Sequence, residues 1–302
     1  MKVWNLENGE QEGTTMEHNS EDEIYSLAVT QDGTKIISGD EGGKIKVWNA
    51  ESHKLVIEWT QLKGCFTIAI SPDDRLIAVG DRAVAVYIME GRQVNDSIEV
   101  DEAVWSMAFS PHRKKLACAI YDDIRVYDVD TCTLVLGPLL GHQHWVEDVL
   151  WSRDGSRLFS GSEDRTIRCW NSDTGEQIGH PWTGHTRSIC SLSLSPDGSI
   201  LASASYDETV HFWDATTGNP IGQHLQHDEE VLAICFSPSG EFMASAEYDG
   251  KIYVWRVPWW NSIENRVRTL IRCTSVFIIT ALSNRQALLI STCHTTACIA
   301  PK

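Results

Sequence analysis

Short apolar segments with alternating polar residues recur along the chain, and each group of segments ends on an aromatic residue. The aromatic positions follow one another at intervals of 44, 39, 40, 43, 43 and 42 residues. They are Trp4, Trp48, Tyr87, Tyr127, Trp170, Trp213 and Trp255. A regular period of this length is typical of chains built from repeated supersecondary modules. The pattern therefore predicts one repetitive domain over all 302 residues.

Each repeat has the same internal order of elements. In one of them a strand is predicted at 189–194, a tight turn at 195–198, a second strand at 200–205 and a third at 209–213. Proline and glycine in the turn supply the fixed and the permissive backbone angles that a hairpin between short strands requires. No segment has an apolar 3.6-residue period long enough to predict a helix. The predicted fold class is therefore all-β.

Three dipeptides identify the repeat. Trp213-Asp214, Gly141-His142 and Gly184-His185 resemble the signature of the WD-repeat family. The resemblance covers residues 1 to about 258 and is most specific over 141–258. It implies a β-propeller of four-stranded antiparallel blades.

The resemblance also implies a buried polar network, in which a His, a Ser, an Asp and a Trp of one repeat bond in a chain. In three repeats the His precedes the Trp by 28 residues, the Asp precedes it by 6, and the Ser lies 4 before the Asp. The three sets are His142, Ser160, Asp164 and Trp170; His185, Ser203, Asp207 and Trp213; and His227, Ser245, Asp249 and Trp255. One shared register indicates one shared structural role.

Serine, histidine and aspartate also form catalytic triads, so a hydrolase is the competing interpretation. Catalysis normally needs one such site, whereas this set occurs three times and always includes a tryptophan. We therefore predict no catalytic residue and no cofactor. Cys293, His294 and Cys298 form the only close cluster of metal-ligand types, and no second ligand pair at zinc-finger spacing accompanies them. We predict no metal site.

The first full repeat departs from this pattern. It keeps Ser38 and Trp48, but Gly42 occupies the expected Asp position. His18 lies 30 residues before Trp48 and not 28. We therefore expect no complete network in this repeat.

The next two repeats depart further. One ends at Tyr87 with Asp81 in place, but it has Ile77 at the expected serine position and no histidine. The other ends at Tyr127 with Asp122 one residue out of register. We expect these repeats to depend more on apolar packing. Together with the first repeat, we expect them to form the less stable half of the ring.

The repeats predict how the single domain is divided. Residues 1–18 would supply the last two strands of a closing blade, and 259–302 form a divergent tail. Two tail strands, at 275–282 and 287–292, would complete that blade and give seven blades, because sharing a blade removes the open sheet edges. If the tail does not close the ring, six blades remain. The six full repeats are predicted at about 19–60, 61–98, 99–140, 141–183, 184–226 and 227–258.

Composition and charge limit the partners. Hydrophobic residues make up 42% and charged residues 22% of the chain, which is ordinary for a globular protein. The net charge of −17 repels nucleic-acid backbones and anionic lipid surfaces, so neither is an expected direct partner. The nine cysteines mostly occur singly in apolar segments, as expected for core residues in a reducing compartment. Because no signal peptide or transmembrane segment is recognised, we expect an intracellular protein, cytoplasmic or nuclear or both.

In the family that this chain resembles, the wider face of the ring commonly binds peptides. The positions implied to face it are the third and fifth residues after the His and the residue before the turn Asp. In the three well-matched repeats they are Trp145, Glu147, Glu163, Ser188, Cys190, Tyr206, Glu230, Leu232 and Tyr248. Alignment of the turn motifs adds Glu23, Tyr25, Glu41, Phe66, Trp105 and Tyr121 from the weaker repeats. This set is rich in aromatics and carboxylates and contains no Lys or Arg, which favours a groove for basic or mixed-charge peptides. The alternative is that these side chains are solvated rim residues or partly buried packing.

These observations predict a non-enzymatic protein-protein interaction scaffold or adaptor, a subunit of a larger complex. The alternative is a reader or subunit in a nucleic-acid- or chromatin-associated complex, in which this chain binds a basic protein and not the nucleic acid itself. A hydrolase is the least favoured class. A fold of this kind does not identify the partner.

Overall fold

A computed structural model describes residues 1–5, 10–18, 23–61, 64–257, 269–272, 278–281 and 287–291. The regular secondary structure of these residues consists of 28 β-strands, which form seven four-stranded sheets. All strand pairs within the sheets are antiparallel. The predicted all-β fold class and the four-stranded blades are confirmed. None of the described residues forms a helix long and apolar enough to cross a membrane.

We number the sheets as blades 1 to 7, beginning with the first blade whose four strands are consecutive in the chain. The strands of blade 1 are Ile24–Val29, Lys35–Asp40, Lys44–Asn49 and Leu55–Thr60. Those of blade 2 are Thr67–Ile70, Leu76–Gly80, Ala83–Ile88 and Ile98–Glu99. Those of blade 3 are Val104–Phe109, Lys115–Ile120, Asp123–Asp128 and Leu134–Leu139.

The following blades repeat this order. The strands of blade 4 are Val146–Trp151, Arg157–Ser162, Thr166–Asn171 and Trp182–Thr183. Those of blade 5 are Ile189–Leu194, Ile200–Ser205, Thr209–Asp214 and Leu225–Gln226. Those of blade 6 are Val231–Phe236, Phe242–Glu247, Lys251–Arg256 and Thr269–Arg272. The fourth strand of blade 6 therefore lies beyond residue 258, at which the sequence analysis ended that repeat.

Blade 7 combines the two ends of the described chain. Ile278–Ala281 and Ala287–Ser291 are its first and second strands, and Lys2–Asn5 and Gln11–Glu12 are its third and fourth. Lys2 lies opposite Ile290, and Asn5 lies opposite Ala287. The turn expected at 283–286 and the cluster Cys293, His294 and Cys298 lie outside the described residues.

The first strand of each blade lies at the inside of the ring. Each first strand contacts the first strand of the next blade, and that of blade 7 contacts that of blade 1. Asp148 connects three blades at this level, because it accepts hydrogen bonds from the Ser106 hydroxyl of blade 3 at 2.8 Å and from the Leu192 N–H of blade 5 at 2.7 Å. Side-chain bonds between first strands thus supplement the apolar packing between blades.

The core lies between neighbouring blades. Residues of the second strands are almost continuously buried, as Lys115–Ile120 and Phe242–Glu247 illustrate, because both faces of each sheet are covered by the adjacent sheets. Polar groups that lie in these strands must therefore find partners within the blade. This requirement determines the arrangement of the His, Ser, Asp and Trp residues that recur in the repeats.

Candidate functional site

In blade 4 the four residues singled out from the sequence form one hydrogen-bonded chain. The Trp170 indole N–H donates to the Ser160 hydroxyl oxygen at 2.9 Å, and His142 Nε2 lies 2.7 Å from the same oxygen. His142 Nδ1 lies 2.8 Å from an Asp164 carboxylate oxygen. Since the indole only donates, the serine hydroxyl donates to Nε2 and Nδ1–H donates to the carboxylate. Every polar group of these four side chains therefore has a hydrogen-bond partner.

Blade 5 repeats this geometry. His185 Nδ1 is 2.9 Å from Asp207, His185 Nε2 is 2.8 Å from Ser203, and the Trp213 indole N–H donates to Ser203 at 2.9 Å. Burial opposes ionisation of Asp207, but hydrogen bonds from His185, from Thr209 and from the Thr186 backbone N–H outweigh it and hold the pKa of Asp207 below its usual range. The aspartate therefore stays ionised as the terminal acceptor of the network.

In blade 6 a different carboxylate completes the network. The expected bond from His227 to Asp249 is not made; His227 Nδ1 lies 2.9 Å from Glu247, two residues earlier at the end of the second strand. The Glu247 carboxylate is fully buried, and it also accepts from the Asp228 backbone N–H. Asp249 is exposed and pairs with Lys251 at 2.7 Å. The longer glutamate side chain reaches the histidine from the strand, which releases Asp249 to the surface.

Blade 1 also has a complete network, contrary to expectation. His18 Nδ1 lies 3.1 Å from Asp40 and His18 Nε2 lies 2.5 Å from Ser38, to which the Trp48 indole donates at 2.9 Å. Asp40 is the last residue of the second strand, like Glu247 in blade 6. In both blades the carboxylate comes from the strand end, where blades 4 and 5 have Ser162 and Ser205.

Blades 2 and 3 have apolar residues at the centre of the network. The residue opposite the aromatic position is Ile77 in blade 2, so strand pairing places Val79 at the serine position, and the expected placement of Ile77 there is wrong. In blade 3 the same comparison places Cys118 at the serine position. Val79 and Cys118 are both fully buried. These two blades are packed without the polar chain.

The geometry of the networks excludes their serines as nucleophiles. Ser160, Ser203 and Ser245 are completely inaccessible to solvent, and each hydroxyl is already bonded to a tryptophan and a histidine. A hydrolytic serine must reach a substrate carbonyl from an open cleft. His185, Asp207 and His211 also lie close enough to suggest a metal site. Both nitrogens of His185 are, however, already hydrogen-bonded within the network.

The positions implied for peptide binding lie at one side of the ring, where the first strands begin and the second strands end. We call this side the upper face. Five first strands carry a β-bulge at their start, and the extra residue is in each case one that the sequence analysis placed on this face. These residues are Tyr25, Trp105, Glu147, Cys190 and Leu232. Because a bulge redirects the side chain that it carries, the sequence pattern and the backbone geometry select the same positions.

Four rings on the upper face form a continuous series across blades 1 to 4. Neighbouring ring centroids are separated by 5.3 Å for Tyr25 and Phe66, 5.7 Å for Phe66 and Trp105, and 5.4 Å for Trp105 and Trp145. We call these four residues the aromatic row. All four are only partly buried. Tyr121 of blade 3 extends the row by an edge contact with Trp145 at 6.1 Å and is 48% exposed.

Carboxylates adjoin the row at Trp145. Glu147 is partly buried, and among the described residues it has no hydrogen-bond or ion-pair partner. Burial, together with the charges of Glu163 and Asp148, raises the pKa of Glu147 to about 7. The Glu163 backbone N–H donates to the Trp145 carbonyl at 2.9 Å, which holds this second acid beside the row.

The other half of the upper face differs in charge. Glu230 of blade 6 pairs with Arg187 of blade 5 at 2.7 Å, and the Arg187 guanidinium also donates to the Tyr206 carbonyl and lies over the Tyr206 ring. Arg187 was missed because it directly precedes Ser188, one of the positions selected by the spacing rule. The carboxylate of Glu230 is therefore already neutralised, whereas that of Glu147 is not.

The remaining selected residues are distributed around the same face. Tyr248 is 44% exposed and Glu41 is exposed. The Glu41 N–H donates to the Glu23 carbonyl at 2.9 Å, and the Tyr248 N–H donates to the Glu230 carbonyl at the same distance. These backbone bonds join the end of the second strand to the approach to the first strand in blades 1 and 6.

Comparison with known proteins agrees with this architecture. The family model "WD domain, G-beta repeat" matches residues 9–49, 131–171, 175–214 and 218–256, which together exceed half of the chain. The matches contain the complete networks of blades 1, 4, 5 and 6. Blades 2 and 3, where the polar network is absent, have no match apart from the end of blade 3.

Several curated proteins are similar to parts of this chain. The small ribosomal subunit protein RACK1y of Oryza sativa subsp. japonica is 32% identical over 45% of this chain and 43% of its own length. The transcription factor unc-37 of Caenorhabditis elegans is 25% identical over 51% of this chain and 28% of its own length. The chain thus spans less than half the length of these relatives. The family matches, the repeat period and the blade structure together show that the chain belongs to the WD-repeat family.

Proposed function

We propose that this protein is a non-enzymatic interaction scaffold that binds peptide segments of partner proteins on its upper face. The observation that carries the proposal is the aromatic row, in which four partly buried rings contact one another across four blades. Aromatic side chains supply large contact areas at little conformational cost and dominate the energetics of many protein interfaces. A continuous row of them at one mouth of a ring suits an extended segment lying across several blades.

Charge supports a basic or mixed-charge partner. The net charge is −17, and the carboxylates of Glu147 and Glu163 adjoin the row. Attraction between opposite charges accelerates encounter and selects among partners. The similar proteins include one named as a ribosomal subunit protein, which supports a role as a subunit of a larger intracellular assembly, cytoplasmic or nuclear.

Affinity capture from native extract tests the scaffold function. Glu147→Lys should reduce the amount of co-purifying partner strongly, because it places a cation where the partner's cation would lie. Glu230→Lys should reduce capture less, because Glu230 is already paired with Arg187. Glu90→Lys is the matched control, because Glu90 is exposed and lies at the opposite end of its blade. The N–H of the preceding residue, Met89, donates there to the Arg75 carbonyl in the hairpin turn. Equal capture by wild type and Glu147→Lys, with both proteins folded, would contradict the proposal.

A role in a nucleic-acid-associated complex is the second candidate, because one similar protein is named a transcription factor. The acidic charge favours binding of a basic protein over direct contact with phosphates. Direct binding of duplex DNA or RNA should therefore be undetectable even at low salt. Detectable binding that weakens steeply as salt rises would establish direct contact and contradict this expectation.

A further inference from the structure

Glu147 occupies a special place among the residues at the inner rim of the upper face. The bulged residues of blades 1 and 3 are Tyr25 and Trp105, and those of blades 5 and 6 are Cys190 and Leu232. In blade 4 the equivalent residue is Glu147, so among the five bulges at the start of the described first strands it is the one with a carboxylate. The equivalent positions of the other four blades thus carry aromatic, thiol and aliphatic groups.

Hydrogen bonds between blades 3 and 4 join the residues that directly follow Glu147 and Trp105. The residue after Glu147 is Asp148, and the residue after Trp105 is Ser106; their side chains bond at 2.8 Å. The Val149 N–H also donates to the Ser106 hydroxyl at 3.3 Å. The two bulged residues that precede these bonded side chains are therefore neighbours on the upper face.

The surroundings of Glu147 favour a cation that the described chain itself does not supply. Glu163 and Asp148 add negative charge, and Asp148 is already bonded to Ser106, Val149 and Leu192. Of the bases on the upper face, Arg187 pairs with Glu230, and His144 lies 3.9 Å from Glu163. A desolvated carboxylate without a partner reduces the stability of the folded protein, and a cation from outside would remove that penalty.

We propose that Glu147 and the indole rings of Trp105 and Trp145 form a binding site for the guanidinium group of an arginine in the partner peptide. The guanidinium is planar and can donate two parallel hydrogen bonds to one carboxylate. Because Phe66 and Trp145 already stack on Trp105, the guanidinium would lie against the part of the Trp145 ring that Trp105 does not cover. The lysine ammonium is more strongly hydrated and lacks a planar surface, so it exploits the rings less well. This inference rests on the proposed function and specifies the side chain that the upper face selects.

A titration with a minimal probe tests the assignment. Nα-acetyl-arginine methylamide is added to the full chain, and the indole N–H signals of Trp105 and Trp145, assigned by Trp→Phe substitution, are followed by NMR. We expect saturable shifts of these two signals. The citrulline analogue has nearly the same shape without the charge and should bind at least about tenfold more weakly, and the lysine analogue should bind several-fold more weakly.

Two variants separate the site from general folding effects. Glu147→Gln keeps the size of the side chain and should weaken arginine binding at least about tenfold, whereas Glu90→Gln on the opposite side should leave it unchanged. Equal binding of arginine and citrulline, equal binding of arginine and lysine, unchanged binding by Glu147→Gln, or no saturable binding would each overturn the arginine assignment. If partner capture nevertheless depends on the aromatic row, the scaffold function stands and only this subsite fails.

Discussion

Blades 5 and 3 have the same four-stranded sheet but fill its centre in different ways. In blade 5, Ser203 follows two buried apolar residues of the second strand and forms hydrogen bonds with Trp213 and His185. In blade 3 the equivalent residue is Cys118, which is fully buried without such a chain, opposite Arg125 of the third strand. The comparison teaches that strand alternation and tight turns suffice to form a blade, and that the polar network is a local addition.

The largest expected effect comes from placing an apolar residue at the centre of the network. Ser203→Val should lower the free energy of unfolding by about 3 kcal/mol, because the buried Trp213 N–H and His185 Nε2 lose their partner. The matched substitution Cys118→Val should cost less than about 1 kcal/mol, because volume and polarity change little. Denaturant unfolding of both variants measures the difference. Equal losses would show that the networks contribute no more than apolar packing does.

A second substitution pair tests which carboxylate completes the network of blade 6. Glu247→Ala removes the acceptor of the His227 and Asp228 N–H groups and should lower the free energy of unfolding by about 2 kcal/mol. Asp249→Ala removes an exposed pair with Lys251 and should cost at most about 1 kcal/mol. Thermal unfolding ranks the two variants. The opposite ranking would restore the assignment made from sequence spacing.

The smallest expected effect is a gain in stability above neutral pH when the Glu147 carboxylate on the upper face is replaced by an amide. Because the pKa of Glu147 is raised to about 7, the folded protein holds this proton more tightly than the unfolded chain, and stability is lost as pH rises from about 4.5 to 7. Glu147→Gln removes that loss and should raise the melting temperature by a few degrees at pH 8. At pH 4.5 it should change little.

The control for this effect is Glu90→Gln, which alters an exposed carboxylate on the opposite side of the ring. Its melting temperature should follow that of the wild type at both pH values. A Glu147→Gln variant that is less stable than the wild type at pH 8 would indicate that Glu147 is held by contacts within the fold and is not available to a partner.

The sequence was sufficient for the period, the all-β class and the networks of blades 4 and 5, because their residues repeat at constant spacing. The networks of blades 1 and 6 could not be assigned correctly by spacing alone. Their carboxylates, Asp40 and Glu247, lie on the strand and not in the turn. Each therefore follows the network serine by 2 residues and precedes the tryptophan by 8, whereas the aspartates of blades 4 and 5 follow the serine by 4 and precede the tryptophan by 6. An acidic residue two positions after the strand serine was the available signal.

The upper face was predictable in composition but not in charge balance. The spacing rule selected the bulged residues because a bulge recurs at the same register in five first strands. It passed over Arg187, which neutralises Glu230 through a contact between two different blades. Contacts of this kind depend on how the blades pack together, and no local pattern encodes them.

The most direct test of the central claim compares the two halves of the upper face in one capture experiment. Trp105→Ala interrupts the aromatic row, whereas Tyr206→Ala alters the half in which Arg187 and Glu230 are paired. With both variants shown to be folded by thermal unfolding, capture of partner proteins should fall strongly for Trp105→Ala and remain near the wild-type level for Tyr206→Ala. Full capture by Trp105→Ala, or loss confined to Tyr206→Ala, would contradict the account.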